Sequence, residues 1–220
     1  MFRTQRWDGI MNTKNKFIAF IGLPGSGKST TAKELAKLMH TQYVYNEPEE
    51  NEWDELVTRR EFYGPFNGLL WFRNTRVKGL LEAYDKFRQG NNVIMDSYYD
   101  KAVYEYIGKP GMEWLLNPED QYFNVAKEIA KADWINLPNV TDLIVLELDK
   151  KDWVNFVIGR GRDLDKSSNL INTFETQKYF IDAAKKLSKE FGINLIIYKH
   201  ADEQPVQVAA NILNQLDGRN

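Results

Sequence analysis

Between Gly22 and Ser29 the chain reads GLPGSGKS, which satisfies the pattern G-x-x-x-x-G-K-[ST]. Gly22, Gly25 and Gly27 admit turns closed to residues carrying a Cβ, so that successive backbone N–H groups can converge on phosphate oxygens. A helix starting near Lys28 adds its positive end and its unpaired N–H groups. By the chemistry of this motif Lys28 reaches the β- and γ-phosphates of a nucleoside triphosphate, and the Ser29 hydroxyl is a ligand for Mg²⁺. Gly22, Gly25, Ser26, Gly27, Lys28, Ser29 and Thr30 are therefore the expected ATP contacts. Three other places carry reactive side chains: Glu47 in NEPEENEW, Asp96 behind the apolar VIM, and Arg160 and Arg162 in GRGRDLDKSSN. A carboxylate at the carboxyl end of a parallel strand faces the crevice where ligands bind, and Glu47 and Asp96 are placed for that.

The elements that must position these groups follow from hydrophobic patterning. Short apolar runs at Phe17–Ile21, Tyr43–Tyr45, Val93–Met95, Leu143–Leu148 and Leu195–Tyr198 read as strands. Helical patterns lie between and after them, at Thr30–Met39, in a long region reaching Gln89 with a break at YGPF, and at Lys101–Tyr106. They recur at Asp120–Ala132, Trp153–Ile158, Thr173–Phe191 and Val206–Leu216. Buried strands alternating with helices predict βαβ units and a parallel sheet covered on both faces. Residues 1–15 lack periodicity and are expected to be a flexible tail, leaving 16–220 as one domain. Gly108–Asp120 has turn residues at both ends and reads as an insertion, and Gly159–Asn169 is charged, glycine-punctuated and poor in apolar residues.

The bulk numbers narrow the function. With 29 basic and 31 acidic side chains in 220 residues, the chain is not a generic binder of nucleic acid or anionic membrane. The absence of cysteine excludes disulfide scaffolds and thiolate chemistry, and two histidines make a poor metal site. No apolar stretch approaches the roughly 20 residues a membrane span needs, so a cytoplasmic location is expected.

Taken together, the Gly22–Ser29 loop, Glu47-Pro48 with Trp53, the Asp96 element and the arginine-rich stretch resemble the deoxynucleoside kinases, within the wider nucleoside and thymidylate kinase group. The likeness runs from Lys16 to the C-terminus. It implies an α/β P-loop kinase fold: a five-stranded parallel sheet of order 2-3-1-4-5, helices on both faces, and a lid at 159–169. It implies that Glu47 is the general base for a sugar 5′-hydroxyl and that Asp96 orients Mg²⁺. Arg160 and Arg162 would close over the donor and stabilise the transferred phosphoryl group. Tyr63 and Asp165 would contact the sugar, and Arg76 the base region. Relatives of this kind are commonly dimers, so a homodimer is the inherited expectation.

Three positions depart from the family pattern. After the acid Asp96, either Ser97 stands where an arginine is expected or one residue is deleted; Leu69 stands where a glutamine reads the base, and Phe156 where a further lid arginine lies. Leucine offers no paired donor and acceptor, so the usual base readout is lost. Asn67 points in another direction on the helix, and Trp71, Phe72 and Tyr106 read as core more than as stacking faces. The expected activity is ATP-dependent, Mg-assisted phosphorylation of a (deoxy)nucleoside 5′-hydroxyl. A thymidylate-type monophosphate kinase is the alternative, with Arg73, Arg76 and Arg160 as candidates for the acceptor's phosphate. The alternative of another class is a nucleotide-binding regulator that has lost catalysis.

Overall fold

The computed structural model describes residues 14–160, 173–201 and 203–218, with the backbone alone at Gly159 and Arg160. Five strands form one sheet: β1 (Phe17–Ile21), β2 (Val44–Tyr45), β3 (Val93–Met95), β4 (Asp142–Glu147) and β5 (Asn194–Lys199). Their order is β2-β3-β1-β4-β5 and every pairing is parallel, as expected from the sequence.

Side chains of β1 alternate between two cores because successive residues of a strand point to opposite faces. Phe17, Ala19 and Ile21 join the larger core with Val93, Met95, Leu143 and Val145. Ile18 and Phe20 join the smaller one with Ile94, Ile144 and Leu146. All five β1 residues are fully buried, so the strand has no solvent face and reads as an unbroken apolar run.

The smaller core is covered by α1 (Lys28–Leu38) and α9 (Pro205–Asp217), through Ala32, Leu35, Val208 and Ile212. Over the larger core lie α4 (Pro65–Arg88), α5 (Tyr99–Ala102), α6 (Phe123–Asn136), α7 (Lys150–Arg160) and α8 (Gln177–Phe191). Two single turns, α2 (Glu55–Thr58) and α3 (Arg60–Tyr63), precede α4. The predicted break at YGPF is where α3 ends: Gly64 takes φ 85° and Pro65 starts α4 with the fixed φ that suits a first helical position.

Some boundaries differ from the sequence reading. The helix expected at Lys101–Tyr106 is α5 followed by a 3₁₀ turn at Val103–Glu105, and the one expected from Asp120 begins at Phe123. Asp120 instead ends a turn, accepting from the Tyr122 N–H at 2.8 Å. The 108–120 segment is a series of turns pinned to the body by Met112 and Leu116, both fully buried. Leu116, Ile107 and Ala126 form a satellite core on which Phe66 and Leu69 pack. The expected tail overlaps the described residues only at 14 and 15, and the expected lid lies outside them beyond Arg160.

Candidate active site

The Gly22–Ser29 loop follows β1 and opens α1, whose N-cap is Gly27 in the left-handed region at φ 83°. No side chain caps this helix and no acid lies in its first turn, so its positive end is left for a ligand. At Gly22 a Cβ would come within 2.8 Å of the Leu146 carbonyl oxygen, so only glycine lets the loop run so close to β4. Trp153 on α7 donates from Nε1 to the Pro24 carbonyl at 2.8 Å and braces the loop from above. His200 braces it from just beyond β5, with Nε2 3.2 Å from the Ser26 carbonyl oxygen.

Lys28 is buried beneath this loop, donating to the carbonyls of Gly22 at 3.1 Å and Leu23 at 2.9 Å, with its ammonium 5.3 Å from the centre of the Tyr99 ring. Ser26 is 1% exposed and its hydroxyl has no hydrogen-bond partner among the described residues. A buried hydroxyl without a hydrogen bond is costly, and a phosphate oxygen in the cradle would satisfy it. The loop residues therefore fit a polyphosphate.

Beside the cradle stands a cluster of charged side chains at the carboxyl ends of β2 and β3. Asp96 follows β3, and its N–H continues the sheet by bonding the Tyr45 carbonyl at 3.0 Å. Its Oδ1 accepts the Glu47 N–H at 2.9 Å, and the nearby Ser29 hydroxyl favours its ionised form. Burial pushes the Asp96 carboxyl up to about 6, against the pull of Ser29 and with help from the Glu47 charge. Ser29 and Asp96 supply hard oxygens suited to Mg²⁺, and no cluster of three or more His, Cys, Asp or Glu capable of holding a metal occurs among the described residues. An ion held here would take its other ligands from phosphate oxygens and water, which is how Mg²⁺ is ordinarily bound at phosphate sites.

Glu47 receives the Ser97 hydroxyl at Oε1, 2.8 Å away, and Arg76 Nη1 at 3.3 Å on the same oxygen. Arg76 makes its main bond elsewhere, as a two-toothed pair with Asp100: Nε to Oδ2 at 2.6 Å and Nη2 to Oδ1 at 3.1 Å. Burial works against the Arg76 charge, yet the Asp100 and Glu47 carboxylates hold its pKa above the ordinary value. The guanidinium also lies over Phe72 at 5.3 Å and Tyr99 at 5.8 Å. A small cavity opens among these groups, lined by Glu47, Thr75, Arg76, Asp96, Ser97 and Asp100 among others.

Several expected residues thus come together: the loop, Lys28, Ser29, Glu47, Arg76 and Asp96. Tyr63 does not reach this cluster, since its hydroxyl donates to Glu55 at 3.1 Å on the exposed α2–α3 turns. Asn67 donates to the Tyr63 carbonyl at 2.6 Å, a bond that spans the Gly64 break between α3 and α4. Leu69 packs on the satellite core with Leu116 and Ile107. Tyr106 is core, edge-on to Phe180, whereas Trp71 and Phe72 are half-buried and meet each other edge-on at 5.1 Å. Phe156 faces the His200 ring at 5.8 Å. The side chain of Arg160, and Arg162 and Asp165 altogether, lie outside the described residues.

Sequence reasoning missed Tyr99 and Asp100. Tyr99 donates its hydroxyl to the Gly22 carbonyl, joining the phosphate loop to the cavity beside Arg76. Asp100 is the partner that fixes Arg76. Nothing local marks it, because its pairing crosses 24 residues and exists only once α4 lies against α5.

No family model matches the chain. It is 26% identical over 155 residues to the mitochondrial Lon protease homolog of Homo sapiens, a match covering 66% of this chain and 15% of that protein. It is 38% identical over 99 residues to a probable thymidylate kinase of Methanococcus aeolicus, covering 42% of this chain and 48% of that one. These curated relatives are thus spanned for less than half of their length. Among solved structures, deoxyadenosine kinase from M. mycoides with bound dCTP superposes with a TM-score of 0.67 at 20% identity, covering 91% of this chain and 98% of that one. Thymidylate kinase from Candida albicans gives 0.64 at 18% identity, covering 95% and 94%. The sheet order, the phosphate loop behind β1 and these superpositions agree: the chain has the P-loop kinase fold of the deoxyadenosine and thymidylate kinases.

Proposed function

We propose that the protein transfers the γ-phosphoryl group of ATP to the 5′-hydroxyl of a (deoxy)nucleoside. The observation that carries this reading is the state of the cations lining the cavity next to the phosphate loop. Arg76 is committed to Asp100 and Glu47, and Lys101 is buried with Nζ on the Leu137 carbonyl at 2.7 Å. Arg73, one turn before Arg76 on α4, is equally committed, to both oxygens of Asp133 at 2.6 Å. With Glu47 and Asp100 around one guanidinium and Asp96 lining the same cavity, it is a poor host for a second phosphate and a good one for a neutral hydroxyl.

In this reaction the nucleoside O5′ attacks the γ-phosphorus while the bond from that phosphorus to the ADP oxygen breaks, and the hydroxyl proton passes to Glu47. Lys28 and the loop N–H groups hold the donor phosphates in line. Arg160 and Arg162 stabilise the charge on the transferred group. Ser29 and Asp96 would hold a Mg²⁺ ion, which would supply charge neutralisation to the phosphates.

The thymidylate-type alternative draws on the match to a probable thymidylate kinase and needs a phosphate-binding cation for the acceptor. One assay separates the two. γ-Labelled ATP is incubated with deoxynucleosides, ribonucleosides and their monophosphates, and the products are resolved. Labelled monophosphate supports the nucleoside reading, labelled diphosphate alone refutes it, and nucleotide binding without any transfer favours a regulator.

A further inference from the structure

We propose that Ser97 is a positioning residue that holds the catalytic carboxylate of Glu47 with one oxygen bound and the other open; this rests on the nucleoside kinase reading above. Glu47 is fixed at three points. Its backbone N–H is bound by Asp96, and its Oε1 accepts from the Ser97 hydroxyl at 2.8 Å and from Arg76 at 3.3 Å. No hydrogen bond among the described residues engages Oε2, and the side chain is 32% exposed. One carboxylate oxygen is therefore tethered and its twin keeps its lone pairs for a proton.

Of the two tethers, the serine is the shorter, and among the described residues the only side-chain bond it makes goes to Glu47. Arg76 spends its best geometry on Asp100, at 2.6 Å, and reaches Glu47 with a single nitrogen. Ser97 is 5% exposed and lies in the short connection between β3 and α5, directly after Asp96, whose N–H is anchored on the Tyr45 carbonyl, so its hydroxyl sits buried close to the sheet. A neutral hydroxyl also differs from a second guanidinium in kind. It orients the carboxylate without adding a positive charge that would oppose proton uptake. Without it, the carboxylate is free to swing onto Arg76 and the productive orientation is diluted among others.

The test compares Ser97→Ala and Ser97→Thr with the parent protein, alone and in the Glu47→Gln background, using γ-labelled ATP and the best of the four deoxynucleosides. Ser97→Ala is expected to lower kcat about 10- to 100-fold, the range for losing a hydrogen bond to a charged group, with KM for both substrates changed less than about threefold. Ser97→Thr, which keeps the hydroxyl, restores kcat to within about fivefold of the parent. In the Glu47→Gln background Ser97→Ala costs less than about twofold, because the group it positions has gone. A near-parental kcat in Ser97→Ala overturns the assignment, as does an equal loss in both backgrounds, or failure of threonine to rescue in a variant that melts like the parent. A parent protein that phosphorylates no nucleoside overturns the functional reading itself, and with it the role of Ser97.

Discussion

Asp96 is 2% exposed, and burial raises its carboxyl from 3.8 to about 6. A rise of about two pH units corresponds to about 3 kcal/mol by which the folded state prefers the protonated form over the ionised one. Folded protein binds this proton more tightly than unfolded chain. The contribution of the group to stability is therefore greatest below pH 4, declines as pH rises through 4 to 6, and is constant above. Asparagine keeps an oxygen to accept the Glu47 N–H, and its amide can donate to the Ser29 hydroxyl, so Asp96→Asn removes the charge with little change of shape. In nucleotide-free, EDTA-treated protein at pH 8 the variant should be more stable by about 2 to 3 kcal/mol, or about 4 to 12 °C in Tm. At pH 4.5 the advantage should shrink to about 1 kcal/mol. Calorimetry of both proteins across pH 4.5 to 8 measures this directly. A variant no more stable than the parent at pH 8, or an advantage independent of pH, refutes the reasoning. Turnover should fall at the same time, since a charge retained at the expense of stability is expected where it serves function.

Lys28→Ala and Glu47→Gln should each reduce kcat at least about 100-fold, the size of the electrostatic and acid–base contributions removed, and steady-state kinetics with near-parental turnover would remove the assigned role. Arg76→Met leaves Asp100 buried without its counter-ion and should cost about 3 to 5 kcal/mol in urea unfolding, most of it recovered by adding Asp100→Leu. Burial lowers the Lys101 ammonium to about 8, so its charged form is disfavoured in the fold and its contribution to stability rises as pH climbs from 8 toward 10.5. Lys101→Met removes that penalty but orphans the Leu137 carbonyl, so it should be about 1 kcal/mol more stable than the parent at pH 7 and about as much less stable at pH 10.

Much of this protein was legible along the chain because its signals are local. The phosphate loop is eight consecutive residues in which glycine, lysine and serine each do something no neighbour can, and β1 is an apolar run buried on both faces. Glu47 and Asp96 were marked by their places at strand ends. Helix limits were less legible, since Asp120 uses its side chain for a turn and so delays α6 by three residues. The strand order came from resemblance, periodicity being silent about neighbours.

Only the tertiary structure decided what the charged groups do to one another. In the sequence, Arg73 and Arg76 are two cations on one helix and equal candidates for an acceptor phosphate. In the fold each meets a buried aspartate at 2.6 Å, 60 and 24 residues away, and neither is left uncommitted. Ser97 reads as a missing arginine until the turn after β3 brings its hydroxyl 2.8 Å from Glu47, and Leu69 as a lost base contact until it packs, partly buried, against the apolar cluster of Leu116 and Ile107. Residue type fixes which interactions a side chain can make, and that much is written locally. Which of them it makes depends on what long-range packing brings within about 3 Å, and on how far burial removes the water that would otherwise compete.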